Sequence, residues 1–231
     1  MTTPLLTTKL YIPPVRPGWV PRSHLIARLD VGLHRKLTLI SAPAGSGKTT
    51  LASAWLSQRR TAAGEGEPAP RGVAWLSLDS GDSDPARFFT YLAAALSSVD
   101  ASLAHGIRPL LQAPHLPPIP SLVATLVNDL AAYGAPLVVA LDDYQTVDDL
   151  AIHEALGLLV EHLPPNVHLV LITRHDPPLP LPRLRARGQV TEIRQHDLVF
   201  SGDEAARFLN ESMGLGLAPD DVALLEARTE G

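Results

Sequence analysis

Leu37-Thr-Leu-Ile-Ser-Ala-Pro-Ala-Gly-Ser-Gly-Lys-Thr-Thr50 is a strand, a glycine-rich loop and the opening of a helix in one continuous run. Leu37 to Ala42 is short and apolar with little alternation, the pattern of a strand covered on both faces. Ala42 to Thr50 matches the phosphate-loop consensus, with alanine in place of its first glycine. Backbone N–H groups that curl around a phosphate need glycine where φ is positive or where a side chain would collide, and Gly45 and Gly47 meet that need. Pro43 has no N–H to give, so the expected nest runs over Ala44, Gly45, Ser46, Gly47, Lys48 and Thr49, with Thr50 just inside the helix. The helix start adds its positive dipole end and Lys48 a flexible cation. The Thr49 hydroxyl is expected to face Mg²⁺. The bland alternative, a glycine-rich turn with a chance lysine, does not account for strand, loop and helix falling in this order.

Working outward, Val73 to Asp79, Leu137 to Asp143 and His168 to Arg174 repeat the buried-strand texture, and Val190 to Arg194 is a weaker fifth strand. Parallel strands need crossovers, and helical stripes lie between them: Leu51, Ala52, Trp55 and Leu56; then Phe88, Phe89, Leu92 and Leu96; then Leu122, Val123, Leu126, Val127 and Leu130; then Leu156, Leu159, Val160 and Leu163. Asp84 is placed to cap the second of these, with Pro85 at its first position. Thr61 to Gly72 and Gln112 to Pro120 read as mobile connections from their Gly and Pro content. The expected fold is α/β, a P-loop NTPase sheet of five parallel strands in the order 5-1-4-3-2, flanked by helices and followed by the start of a small helical domain. Ser201 and Glu204 stand in capping-box spacing at the opening of that second unit, and another helix begins near Pro219. The expected divisions are an extended segment over 1–24, the P-loop domain over 25–198 and the beginning of a helical lid over 199–231.

A phosphate loop that uses Mg²⁺ needs a carboxylate. The apolar strand Leu137 to Leu141 ends in Asp142-Asp143, at the carboxyl edge where ligands of open α/β sheets sit. Asp142 is assigned to the metal and Asp143 to a base or water-orienting role. Taken alone, paired aspartates after a strand are more often a turn or a helix cap. Arg174, at the end of the next strand, is either a cation in reach of a γ phosphate or a surface residue. Arg183, Arg185 and Arg187 suit a solvated turn better than a phosphate contact. The nine histidines show no metal-ligand spacing.

Composition narrows the classes. The chain has 231 residues, 45% hydrophobic and 19% charged, enough for one sizeable core. A net charge of -5 offers no overall attraction to nucleic acid or anionic lipid. With no cysteine there is no disulfide, thiolate metal site or cysteine nucleophile. The first 21 residues hold no long apolar stretch, so neither a signal peptide nor a membrane span is expected, and a cytoplasmic location is.

With these motifs placed, the chain resembles the nucleotide-binding part of the large ATP-binding LuxR-type transcriptional regulators, members of the STAND signalling ATPases. The resemblance rests on Thr8-Lys-Leu10, Val20-Pro-Arg22, the Ala42 to Thr50 loop, Leu141-Asp-Asp-Tyr144, Thr173-Arg174, Leu184-Arg-Ala-Arg187 and Arg228-Thr-Glu-Gly231. It implies that Val20 and Arg22 contact the adenine end of ATP or ADP, and that Arg174 senses the γ phosphate. It further implies a switch with slow hydrolysis, in which ADP favours a closed monomer and ATP with an inducer an open, self-associating form. Inducer and DNA would be bound through downstream domains outside these residues. The competing class is an ordinary P-loop catalyst such as a small-molecule kinase or turnover ATPase, although no acceptor-binding motif is visible.

Overall fold

In the computed structural model, residues 4–61 and 72–228 are described. Most of the Thr61 to Gly72 connection, and all of the terminal tetrapeptide but Arg228, lie outside them. Five parallel strands, β1 (Leu37–Ser41), β2 (Gly72–Ser77), β3 (Leu137–Asp142), β4 (Val167–Thr173) and β5 (Val190–Arg194), form one sheet. Their order is β2-β3-β4-β1-β5, the expected order read from the other edge. Placing β1 between β4 and β5 puts the loop after β1 beside the carboxyl end of β4.

Two-sided burial explains why the strands lack polar alternation. On one face Leu39, Val139, Leu141, Leu169 and Leu171 join the stripes of α3 (Pro85–Ser97), α5 (Ile119–Tyr133) and α6 (Leu150–His162). On the other, Ile40, Val138, Ala140, Val170 and Ile172 pack with α1 (Ser23–Gly32) and α2 (Lys48–Thr61) through Leu25, Leu29, Leu51, Trp55 and Leu56. Polar Thr38 and His168 are buried among these strands because each satisfies the other. The Thr38 Oγ1 to His168 Nε2 distance is 2.8 Å, and His168 Nδ1 lies 2.8 Å from the Arg35 carbonyl oxygen. Burial pushes the His168 pKa down to about 4.

Helix ends follow the local chemistry. The Asp84 carboxylate accepts the Arg87 N–H at 2.8 Å and Pro85 sits in the first turn of α3, as the sequence predicts. Gly134 ends α5 at φ 68°, where a Cβ would be strained. The β2 to β3 crossover holds more structure than expected: a 3-10 turn at Ala101–Ala104 and α4 (Ile107–Leu111) precede α5, and α5 begins at Ile119 inside the predicted Gln112 to Pro120 loop. Leu103, Ala104 and Ile107 are buried in the main core, so packing rather than local propensity orders this stretch.

Near the other end, α7 (Leu181–Ala186) precedes β5 and α8 (Gln195–Leu198) follows it. Ser201 then opens α9 (Gly202–Arg207) with the predicted capping box, its hydroxyl accepting the Glu204 N–H and Glu204 accepting the Ser201 N–H. A π-helical turn at Phe208–Ser212 and α10 (Pro219–Arg228) follow. At the start, the 3-10 turn Thr7–Leu10 packs against β2 and is fastened by Lys9, whose ammonium is bonded to Asp79 at 2.9 Å and to fully buried Asp82, and lies 4.4 Å from the Tyr91 ring centroid.

Candidate functional site

The loop between β1 and α2 has the form that its glycines predict. Gly45 and Gly47 stand at φ 85° and 79°, and a Cβ on either would meet nothing within 4 Å, so conformation rather than crowding selects glycine and the concave side is open. The Ser46 hydroxyl donates to the Pro43 carbonyl at 2.5 Å and the Lys48 ammonium donates to the same oxygen at 2.7 Å. Pro43, unable to donate, serves as the acceptor that folds the loop over. Lys48 is buried, and desolvation together with the positive charge of Arg174 lowers its pKa, while Asp143 and Asp142 act in the opposite sense. Three other residues singled out from sequence, Arg174, Asp143 and Asp142, therefore act on the Lys48 ammonium at this edge of the sheet.

Thr49, in the first turn of α2, donates its hydroxyl to Asp142 Oδ1 at 3.0 Å. Asp142 is the last residue of β3 and is buried, so desolvation and then the neighbouring Asp143 charge raise its pKa to about 6, against the hydrogen bond from Thr49. A bound cation would reverse that penalty. The hydroxyl and carboxylate are hard oxygen donors of the kind Mg²⁺ takes alongside water and substrate phosphates. Among the described residues no group of three or more His, Cys, Asp or Glu could hold a metal by itself, and a Mg²⁺ site shared with phosphates needs none.

Asp143 is the one non-glycine residue with positive φ among those described, at φ 55° and ψ 37°. It opens a 3-10 turn, Tyr144–Thr146, held by Thr146 N–H and Oγ1 bonds to the Asp143 carbonyl at 3.0 and 2.9 Å. Tyr144 anchors this turn from below: it is buried, and its hydroxyl lies 2.7 Å from His153 Nδ1. The result is an exposed Asp143 carboxylate on a fixed backbone, across from exposed Arg174 at the end of β4. Ala44 and Thr50 are exposed on the loop and helix start.

Val20 and Arg22 are both buried. The Arg22 guanidinium is committed within the chain, to Glu204 at 2.9 and 3.2 Å and to the carbonyls of Asp197, Leu198 and Val199 at 3.2, 2.8 and 2.7 Å. The Arg22 side chain, expected to meet the adenine, is thus engaged within the chain, and its carbonyl accepts the Leu25 and Ile26 N–H groups at 3.0 Å each. Sequence reasoning found Glu204 only as the capping-box partner of Ser201, not as the partner of Arg22, and did not single out Gln145, whose residue type carries no signal at that position. Arg185 is held by Glu192 at 2.8 and 3.0 Å and by Asp176 at 3.2 Å, and Arg183 by Glu161 at 2.5 Å, so these arginines make exposed ion pairs, but from helix α7 rather than from the expected turn.

No family model matches the chain. Among curated proteins, the HTH-type transcriptional regulator MalT of Cronobacter sakazakii is 35% identical over 226 residues, which is 95% of this chain and 24% of the regulator. Nearly the whole chain is thus similar to a quarter of the MalT sequence, and it carries a P-loop NTPase sheet. MalT of Yersinia enterocolitica is 33% identical over 227 residues, covering 98% of the chain and 24% of that protein, so the chain spans about a quarter of the length of the curated relatives it matches. Its fold is shared with a STAND protein carrying a tetratricopeptide repeat sensor from Pyrococcus horikoshii, at TM-score 0.59 and 17% identity over 96% of this chain and 29% of that one. Cdc6p from Pyrobaculum aerophilum shares it at TM-score 0.52 and 17% identity, covering 88% of this chain and 53% of Cdc6p.

Proposed function

We propose that this chain is the nucleotide-binding module of a transcriptional regulator, binding ATP or ADP with Mg²⁺ and acting as a slow hydrolytic switch. The observation that carries the reading is the meeting of Lys48 and Arg174 with Asp142 and Asp143 around an open, glycine-lined loop at one sheet edge. Two cations and a helix N-terminus suit a polyphosphate; a buried carboxylate bonded to a threonine hydroxyl suits its counter-cation.

In this reading the N–H groups of residues 44–49 and the Lys48 ammonium bind the β and γ phosphates. Lys48 exchanges its Pro43 carbonyl for them. Mg²⁺, held by Thr49, Asp142 and phosphate oxygens, supplies charge neutralisation when bound. Asp143 orients a water and accepts its proton as the water oxygen bonds to the γ phosphorus, and the bridging oxygen departs with ADP. Arg174 faces the γ phosphate and stabilises the charge that develops there. Val20 and the Arg22 main chain lie toward the base, and residues after Ser201 form the beginning of a lid. The γ phosphate shifts the module between states only by as much as it binds one better than the other. The sequence identity to an HTH-type transcriptional regulator supports a place in transcription regulation. In this reading the protein works in the cytoplasm, self-associates in the ATP state, and engages inducer and DNA through parts outside these residues. No helix among the described residues is long and apolar enough to cross a membrane.

Titration calorimetry and thermal unfolding test the reading. ATP or ADP with Mg²⁺ at a hundredfold excess over Kd stabilises the wild-type chain by about 2.7 kcal/mol, and Lys48→Ala abolishes the shift. Absence of binding heat from either nucleotide with folded protein overturns the proposal.

A further inference from the structure

Gln145 lies in the turn after β3, half-buried, and both ends of its amide are engaged. Its Nε2 donates to Asp143 Oδ1 at 2.7 Å and its Oε1 accepts the Arg174 N–H at 3.0 Å. The orientation of the amide is dictated by its partners, since an ionised carboxylate can only accept and a peptide N–H can only donate. Asp143 N–H donates to Asp142 Oδ1 at 3.0 Å, and the same oxygen takes the Thr49 hydroxyl at 3.0 Å. A continuous hydrogen-bonded chain therefore runs Thr49, Asp142, Asp143, Gln145, Arg174, from the phosphate loop to the end of β4.

We infer that Gln145 is a positioning residue that fixes the Asp143 carboxylate relative to Arg174, so that base and γ-phosphate cation are set in one frame. This rests on the hydrolytic reading given above. Asp143 needs such a device: its side chain is exposed and its backbone left-handed, so the Thr146 bonds fix its main chain while the carboxylate is held in place by Gln145. The other half of the amide grips the main chain of Arg174 and makes no hydrogen bond to its guanidinium. Displacing a reacting group by about 1 Å can cost a hundredfold in rate while leaving nucleotide binding intact, because the loop and Lys48 do the binding.

The test compares single-turnover ATP hydrolysis and calorimetric Kd values for ADP and ATP, each with Mg²⁺, in wild type, Gln145→Ala and Gln145→Glu. The glutamate retains an acceptor for the Arg174 N–H but sets a negative charge against Asp143. We expect both variants to lose at least tenfold in hydrolysis rate, with Kd for ADP within twofold of wild type and an unchanged melting temperature. Gln145→Glu also serves if the alanine variant does not fold. Wild-type turnover in Gln145→Ala overturns the inference, as does wild-type turnover in Gln145→Glu alone, which would leave only the Arg174 contact. A parallel loss of ADP affinity overturns it too, by making the effect general. A wild-type chain that binds nucleotide without hydrolysing it overturns the hydrolytic reading and this inference together, whereas one that binds none overturns the nucleotide site itself.

Discussion

His168 shows how a single buried group ties this fold to pH. Its pKa is lowered to about 4 by burial, so the unfolded chain holds the proton more tightly than the folded one. The stability it contributes is fully present above pH 6.5 and is lost as pH falls toward 4, a change of about 3 kcal/mol. Asp142, with its pKa raised to about 6, acts with the opposite sign over much of the same window, its stabilising effect being present at low pH and lost as pH rises through 6. The two slopes offset each other, so the informative quantity is a difference. His168→Gln should cost stability at pH 7.5, and denaturant titrations should show the gap to wild type closing as the pH approaches 4. At this scale the sequence speaks unevenly. Gly45, Gly47, Lys48 and Thr49 were legible because a phosphate nest demands those residue types at that spacing. Gln145 was not, because its role exists only once β3 and β4 lie side by side and bring Asp143 and the Arg174 N–H within reach of one amide.

Elements that bury one broad stripe could be read directly, and their ends often could as well. The Asp84 cap of α3 is an example, and it carries its own prediction: Asp84→Ala leaves the Arg87 N–H without its side-chain acceptor and should cost about 1 kcal/mol in reversible unfolding. The strands were legible for a related reason. Burial on both faces favours apolar residues at successive positions, as in β3, where Leu137 to Leu141 are all apolar and buried. The short turn at Ala101–Ala104 and α4 were not. Segments of four or five residues lack the length for a periodic signal, and these are ordered by neighbours on α3 and α5 that the sequence does not reveal.

Across the whole molecule, the most telling long-range tie is the one from Arg22 to Glu204 and the carbonyls of residues 197–199. It fastens the opening segment to the point where the predicted lid begins, and both side chains are 6% exposed. Arg22→Met strands a buried carboxylate and three carbonyl oxygens, so a loss of about 3 kcal/mol is expected, with hydrogen exchange quickening first at Ser201 to Ala205. Partial recovery on adding Glu204→Gln would show that the stranded charge, rather than lost packing, is responsible. The turn Thr7–Leu10 has a different consequence. Sheets that end in bare peptide groups invite a foreign strand to pair with them. Here one outer strand is shielded by a turn fastened through Lys9, and the other is bordered by interlocked charges from Arg185, Glu192 and Arg194. Polymerisation through backbone ladders is thereby discouraged at both flanks, and molecules that gather into larger complexes must recognise one another through side chains and loops instead.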